Sequence, residues 1–241
     1  MIYETIEKYF DIFVEVLPEL ALLERFNQND PKHIYDALEH TLVALKVVEP
    51  KLELRLATLF HDIGKPFTFS KNADGTSSYP DHAKKSADMA REIMNRLHFN
   101  KKTIQRVTKL IEYHDFQVPD NNEMRIKSLL TNLGPENLDD LFKIKKANFY
   151  AKNPAYVNEL TKIENDYAIL KSVARKASFV KRNEIKINGK ELLNLGVTQE
   201  KVGAVLEKIY NQILEGKLKN NKEKLMEHIT NVVIPSGYEG I

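Results

Sequence analysis

The stretch Leu52-Glu53-Leu54-Arg55-Leu56-Ala57-Thr58-Leu59-Phe60-His61-Asp62-Ile63-Gly64-Lys65-Pro66 decides how the rest of the chain is read. A mostly apolar run ends in a histidine and a carboxylate side by side. A buried helix with that ending offers two ligands to one divalent cation. Imidazole and carboxylate together suit zinc, iron, manganese, nickel or cobalt. Two adjacent ligands do not complete a site, so the others must come from elsewhere in the chain.

Working outward, Pro50 separates this helix from one expected to open at Asp30-Pro31, with Asp30 as N-cap and Pro31 at the first helical position. That helix would carry His33, Asp36 and His40 on roughly one face. An earlier helix over 3–20 follows from Ile6, Phe10, Phe13, Val14 and Leu17. Downstream, the polar segment 67–80 with its Asp74-Gly75 turn is a loop beside the His-Asp pair, either a lid or a solvated connection. A helix opening near Asp81 starts with His82, and a helix over 102–115 ends in His114-Asp115. Further helices are expected at 123–132, after Pro135, and from Val157 to Phe179. The character of the chain changes near residue 180. Thr198 caps a helix from Gln199 that Gly216 ends, and Asn220 or Asn221 caps a last one over 221–230. The fold class is all-α: a helical bundle over 1–180 and a small helical C-terminal subdomain over 181–241, with Glu184–Ile187 as a short extended exception.

The chain has 241 residues, 42% of them apolar, which is enough for a large core. It has no cysteine, so disulfides, thiolate ligands and thiol nucleophiles are excluded. No stretch approaches the length of a membrane span and the N-terminus does not read as a signal peptide, so a cytoplasmic protein is the expectation. The net charge of +2 favours no class of partner by itself.

His40, His61, Asp62, His82 and His114 sit on four separate elements that helix packing can bring together around a metal. Any one of these histidines alone is better explained by structure. His33 reads as a surface or packing residue, His98 as a helix-end residue, and His228 as an exposed one.

The ordered set His40, His61-Asp62, Gly64-Lys65, His82 and His114 resembles the HD superfamily of metal-dependent phosphohydrolases. The resemblance is closer to the part of bacterial tRNA nucleotidyltransferases (CCA-adding enzymes) that follows their catalytic head. Phe26 to Thr41 looks like the segment opening their HD domain, and Ile187-Asn188-Gly189-Lys190 to Gly196 like the small segment after it. It implies an HD-type bundle without a catalytic head, which should not add nucleotides.

The same resemblance implies a divalent metal (Mn, Ni, Fe, Co, Zn or Mg) held by His40, His61 and Asp62. Asn148 stands where the pattern's closing aspartate is expected, and it would be a weaker, neutral donor. His82 and His114 would line the phosphate side or hold a second metal. Lys65 would neutralise charge on phosphoryl oxygens. Asp36, Glu39 or Asp115 would orient ligating histidines. Asp166 is the next aspartate after Asn148, expected on a helix surface. The implied substrate is a phosphoester: a nucleotide, a 2′,3′-cyclic phosphate or a cyclic nucleotide. The competing class is a non-catalytic module that binds tRNA or other RNA through the lysine-rich segments 181–190 and 216–224.

Overall fold

The computed structural model describes residues 2–118, 122–176 and 180–235. Twelve α-helices are present among them: α1 Ile2–Lys8, α2 Phe10–Val16, α3 Ala37–Val47, α4 Leu52–Phe60, α5 His82–Arg96, α6 Lys101–Tyr113, α7 Glu123–Leu133, α8 Leu138–Tyr150, α9 Asn158–Lys176, α10 Gly189–Asn194, α11 Val202–Leu214 and α12 Lys222–His228. The expected extension of α9 to Phe179 lies outside the described residues. No described helix is long and apolar enough to cross a membrane. The chain divides into two compact units, residues 1–117 with 136–168, and residues 118–135 with 169–241.

In the first unit, α4 is the central helix and packs against α3, α6 and α8, while α5 packs along α6. Leu54, Ala57, Phe60 and Ile63 are essentially inaccessible, and they meet a core that includes Ala44, Leu45, Ala90, Ile93, Val107, Leu110, Ile111, Leu141 and Ile144. Each fully buried Leu, Ile or Phe side chain contributes roughly 1.5–3 kcal/mol of transfer free energy. The apolar face of α4 therefore fixes where its last residues, and the His61-Asp62 pair beyond them, come to rest.

Several expected elements differ. The helix over 3–20 is broken at Tyr9 and ends before Pro18, which removes a donor and biases Leu17 away from helical backbone. Asp30-Pro31 does not start a helix. The cap is Asp36, whose Oδ1 accepts from Glu39 N at 2.8 Å and whose Oδ2 accepts from Arg25 N at 3.0 Å. Asp30 instead closes a turn, accepting from Lys32 N and meeting His33 Nδ1 at 3.0 Å. His33, Asp36 and His40 consequently do not share a helix face. The segment 67–80 is a small hairpin, with Ser70–Lys71 (β1) paired antiparallel to Ser77–Ser78 (β2). Glu184–Ile187, by contrast, forms no strand: Arg182–Glu184 is a 3-10 turn.

In the second unit, α11 packs against α7 and α10. Its core comprises Ile187, Leu192, Val197, Val205, Ile209, Ile213, Leu225, Ile229 and Val233. Thr198 makes no side-chain cap bond, and a 3-10 turn, Gln199–Lys201, precedes α11. Asn221 caps α12, its Oδ1 accepting from Lys224 N at 3.1 Å.

Candidate metal centre

The first unit brings five sequence-predicted residues to one point. His40 comes from α3, His61 and Asp62 from the end of α4, His82 from the first position of α5, and His114 from just beyond α6. All five are buried. They form two triads that share Asp62, His40–His61–Asp62 and Asp62–His82–His114, with the ligand atoms of each triad within 4.8 Å of one another. Asp62 Oδ2 lies 3.1 Å from His61 Nε2 and 3.8 Å from His40 Nε2. Its Oδ1 lies 3.5 Å from His82 Nε2 and 3.6 Å from His114 Nε2. One carboxylate oxygen faces each pair of imidazoles.

The rings are oriented by backbone. Nδ1 of His40 meets Ala151 O at 3.0 Å, and that of His61 meets Thr58 O at 2.7 Å. Nδ1 of His82 meets Tyr79 O at 2.9 Å, and that of His114 meets Ile111 O at 2.8 Å. A carbonyl only accepts, so every Nδ1 carries the proton, and in the neutral ring every Nε2 carries a lone pair. These carbonyls, rather than Asp36, Glu39 or Asp115, orient the histidines. Asp36 is occupied as a cap, and Glu39 and Asp115 are exposed.

Four lone pairs and two carboxylate oxygens thus converge in a buried space. His82 Nε2 and His114 Nε2 approach to 3.4 Å, and with both Nδ1 atoms donating elsewhere this is a clash of lone pairs unless a cation or proton lies between them. His40 Nε2, His61 Nε2 and both Asp62 oxygens are buried without a hydrogen-bond partner. Burial pushes His40 well below its ordinary value and His114 down to about 4, so both stay neutral. Burial opposes ionisation of Asp62, yet the carboxyl is held well below its ordinary range, with the Lys65 ammonium as the permanent positive charge against it. Buried acceptors left unpaired cost about 1–3 kcal/mol each, more when charged, so the donor set fits a divalent cation.

Lys65 Nζ reaches Asp62 Oδ2 at 2.7 Å, an ion contact without hydrogen-bond angles, and donates to Gln28 Oε1 at 2.6 Å. Asn148, on α8, shares a cavity of about 240 Å³ with Asp62, His82, His114, Lys32, Lys65 and Lys152. Its amide oxygen is buried and unpartnered. A second cavity, of about 270 Å³, shares Lys32, His114, Asp115, Asn148 and Lys152 with the first and adds Lys145, Lys162 and Asp166. Asp166 lines this second cavity together with His114 but belongs to neither triad. His33, set aside on sequence grounds, lines the first cavity, its ring 5.2 Å from that of His40, whereas His98 is exposed. His228 is half-buried in the second unit rather than exposed.

Sequence reasoning missed Gln28, Lys145 and Lys152. Lys145 and Lys152 flank Asn148 at helical spacing, which was a readable signal. Gln28 had none, because its role depends on a lysine 37 positions away.

A family model described as "tRNA nucleotidyltransferase domain 2 putative" matches residues 76–229, well over half of the chain. A CC-adding tRNA nucleotidyltransferase of Thermus thermophilus is 38% identical over 113 residues, covering 44% of this chain and 26% of that protein. An A-adding tRNA nucleotidyltransferase of Deinococcus radiodurans is 29% identical over 198 residues, covering 79% of this chain and 45% of that protein. A multifunctional CCA protein of Halorhodospira halophila is 37% identical over 86 residues, covering 34% and 20%. The chain spans less than half the length of each of these relatives.

Proposed function

The chain belongs to the tRNA nucleotidyltransferase domain 2 family, and from that premise we propose that its first unit is an HD-type, divalent-metal-dependent phosphohydrolase acting on a nucleotide or RNA-type phosphoester. The observation that carries this reading is the inward turn of four imidazole Nε2 atoms onto the two oxygens of Asp62. His40, His61 and Asp62 Oδ2 would hold one cation, with Asn148 as a further neutral donor. Asp62 Oδ1, His82 and His114 would hold a second. An imidazole-rich set favours manganese, iron, cobalt, nickel or zinc over magnesium. The cation would supply Lewis acidity toward water and toward phosphoryl oxygen.

The chain's own groups do the rest. Backbone carbonyls keep the four rings in one tautomer, so the lone pairs need no rearrangement when a ligand arrives. Lys65, buried at the cavity wall, places an ammonium where charge on a phosphoryl group develops. Lys32 and Lys152 line the same cavity and favour an anionic substrate, although both also face Glu159, at 2.7 and 3.7 Å. Ser77, Ser78 and Tyr79 bring the hairpin to the rim. This supports a phosphatase or a 2′,3′-cyclic phosphodiesterase.

A second reading, tRNA or other RNA binding without catalysis, is favoured by the second unit, where Lys181, Lys186, Lys190, Lys219 and Lys224 are exposed. One experiment separates the two. The metal-reconstituted protein is assayed on nucleoside monophosphates and on 2′,3′-cyclic and 3′,5′-cyclic phosphates, with tRNA binding measured in parallel. The enzyme reading expects turnover that falls at least a hundredfold in His61→Ala and Asp62→Ala. It is abandoned if no metal gives turnover, or if Asp62→Ala keeps it. Retention of salt-sensitive tRNA affinity in Asp62→Ala establishes the binding role independently.

A further inference from the structure

Gln28 is only 1% exposed although it carries a polar amide, and it lies in the irregular segment before α3. Its Oε1 takes the Lys65 ammonium at 2.6 Å. The same ammonium lies 2.7 Å from Asp62 Oδ2 and 5.5 Å from the centre of the Tyr79 ring. Lys65 is therefore shared between a neutral oxygen and the carboxylate oxygen that faces His40 and His61. That carboxylate oxygen is the anionic donor a cation in this triad needs.

Building on the reading above, we propose that Gln28 is a positioning residue for metal loading: its amide oxygen gives Lys65 a second buried acceptor beside Asp62, so that a divalent cation can take Asp62 Oδ2 while the lysine keeps a partner. An ammonium with no other partner would settle fully on Asp62 and compete with the cation for it. Once displaced, it would also be left buried and unpaired, which is costly. Gln28 removes both penalties, and it leaves Lys65 facing the cavity where the substrate enters. A glutamate at this position would be a different device, since it would bind the lysine as an ion pair and add a charge.

Apart from the long bond that Gln28 Nε2 donates to Tyr35 O at 3.5 Å, which Gln28→Leu also removes, the segment is held through its backbone. Tyr79 Oη donates at 2.6 Å to the backbone carbonyl of Gln28, and Ser77 N donates at 3.1 Å to that of Asn29. Both bonds survive Gln28→Leu.

The test is a cobalt(II) titration followed by visible absorption and calorimetry on the wild type, Gln28→Leu, Lys65→Met and the double variant. Thermal unfolding is run in parallel, and Gln28→Asn stands in if Gln28→Leu does not fold. The expectation is a Kd weakened about tenfold in Gln28→Leu, tightened in Lys65→Met, and unchanged by Gln28→Leu once Lys65 is Met; tenfold corresponds to about 1.4 kcal/mol. A Gln28→Leu affinity within twofold of wild type overturns the proposal. So does an equal loss in the Lys65→Met background, which would mark Gln28 as structural only. Failure of the wild-type protein to bind cobalt at all overturns the metal-centre reading as well, and so distinguishes the two failures.

Discussion

Gly64 presses its bare α-carbon against the first turns of α5: its amide donates to Ser86 Oγ at 2.9 Å, and a Cβ placed on Gly64 would stand 2.7 Å from both His82 O and Ser86 N. The φ of Gly64 is −83°, which any residue adopts, so the constraint is space rather than backbone conformation. Because the obstructing atoms are backbone, relief requires α5 to shift, and His82 shifts with it. Gly64→Ala should cost about 1–3 kcal/mol of stability, measured by urea unfolding, and should weaken the His82–His114 half of the centre more than the other. Wild-type stability in Gly64→Ala would contradict this packing account.

Asp36 rather than Asp30 is the helix cap beneath His40. Asp36→Ala loses the bonds from Glu39 N and Arg25 N. It should lower stability by about 1–2 kcal/mol and loosen metal binding through His40. Asp30→Ala removes only the turn contacts to Lys32 N and His33 and should cost less. Equal losses in the two variants would refute the assignment.

That contrast shows what was legible in the chain and what was not. The apolar face of α4 and the order of His40, His61-Asp62, His82 and His114 point to an all-helical unit with a converging cluster, because helical period and ligand chemistry are both local properties. Asp30-Pro31 satisfies every local rule for a helix start, yet Asp36 wins because it alone also takes the amide of Arg25, eleven positions back. The hairpin was hidden because its strands are two residues long. The role of Gln28 arises from a contact across the fold, with a lysine 37 positions away.

The shared carboxylate makes the metal content of variants informative. Loss of His40 or His61 breaks one triad, loss of His82 or His114 breaks the other, and loss of Asp62 breaks both. Elemental analysis after manganese or cobalt loading should therefore give a lower stoichiometry for either histidine class and little or no metal for Asp62→Ala. Identical stoichiometry for His40→Ala and Asp62→Ala would indicate a single cation rather than two.

A pH dependence follows from Asp140, on α8, which is nearly buried. It binds Lys51 Nζ and Arg106 Nη2, each at 2.6 Å. Burial opposes its ionisation, but these two cations outweigh that and hold the carboxyl below its ordinary value. A group depressed in the folded state contributes stability above its unfolded value, near pH 4 for an aspartate, and loses it as pH falls through the folded value. Asp140→Asn should be less stable than wild type at pH 7, with the difference shrinking in urea melts taken toward pH 3. A difference that does not change with pH would mean that the network acts through packing alone.

Lys145 links α8 to the end of α6. Its Nζ donates to His114 O at 3.1 Å and to Phe116 O at 2.9 Å, and it lies 4.5 Å from the centre of the Phe116 ring. Burial pushes its pKa down to about 8, which shows how strongly this side chain is withdrawn from water. Its hydrogen bonds pin the backbone that carries His114, at the negative end of the α6 dipole. Lys145→Met preserves the length of the chain and removes both donors, leaving two carbonyls unpaired at a cost of about 1–3 kcal/mol each if they stay dry. The cobalt absorption spectrum should then change at the Asp62–His82–His114 triad, with weaker binding of one cation and little change in the other. An unaltered spectrum in a protein destabilised by that amount would show that His114 is held by the Nδ1 bond to Ile111 O without help from Lys145.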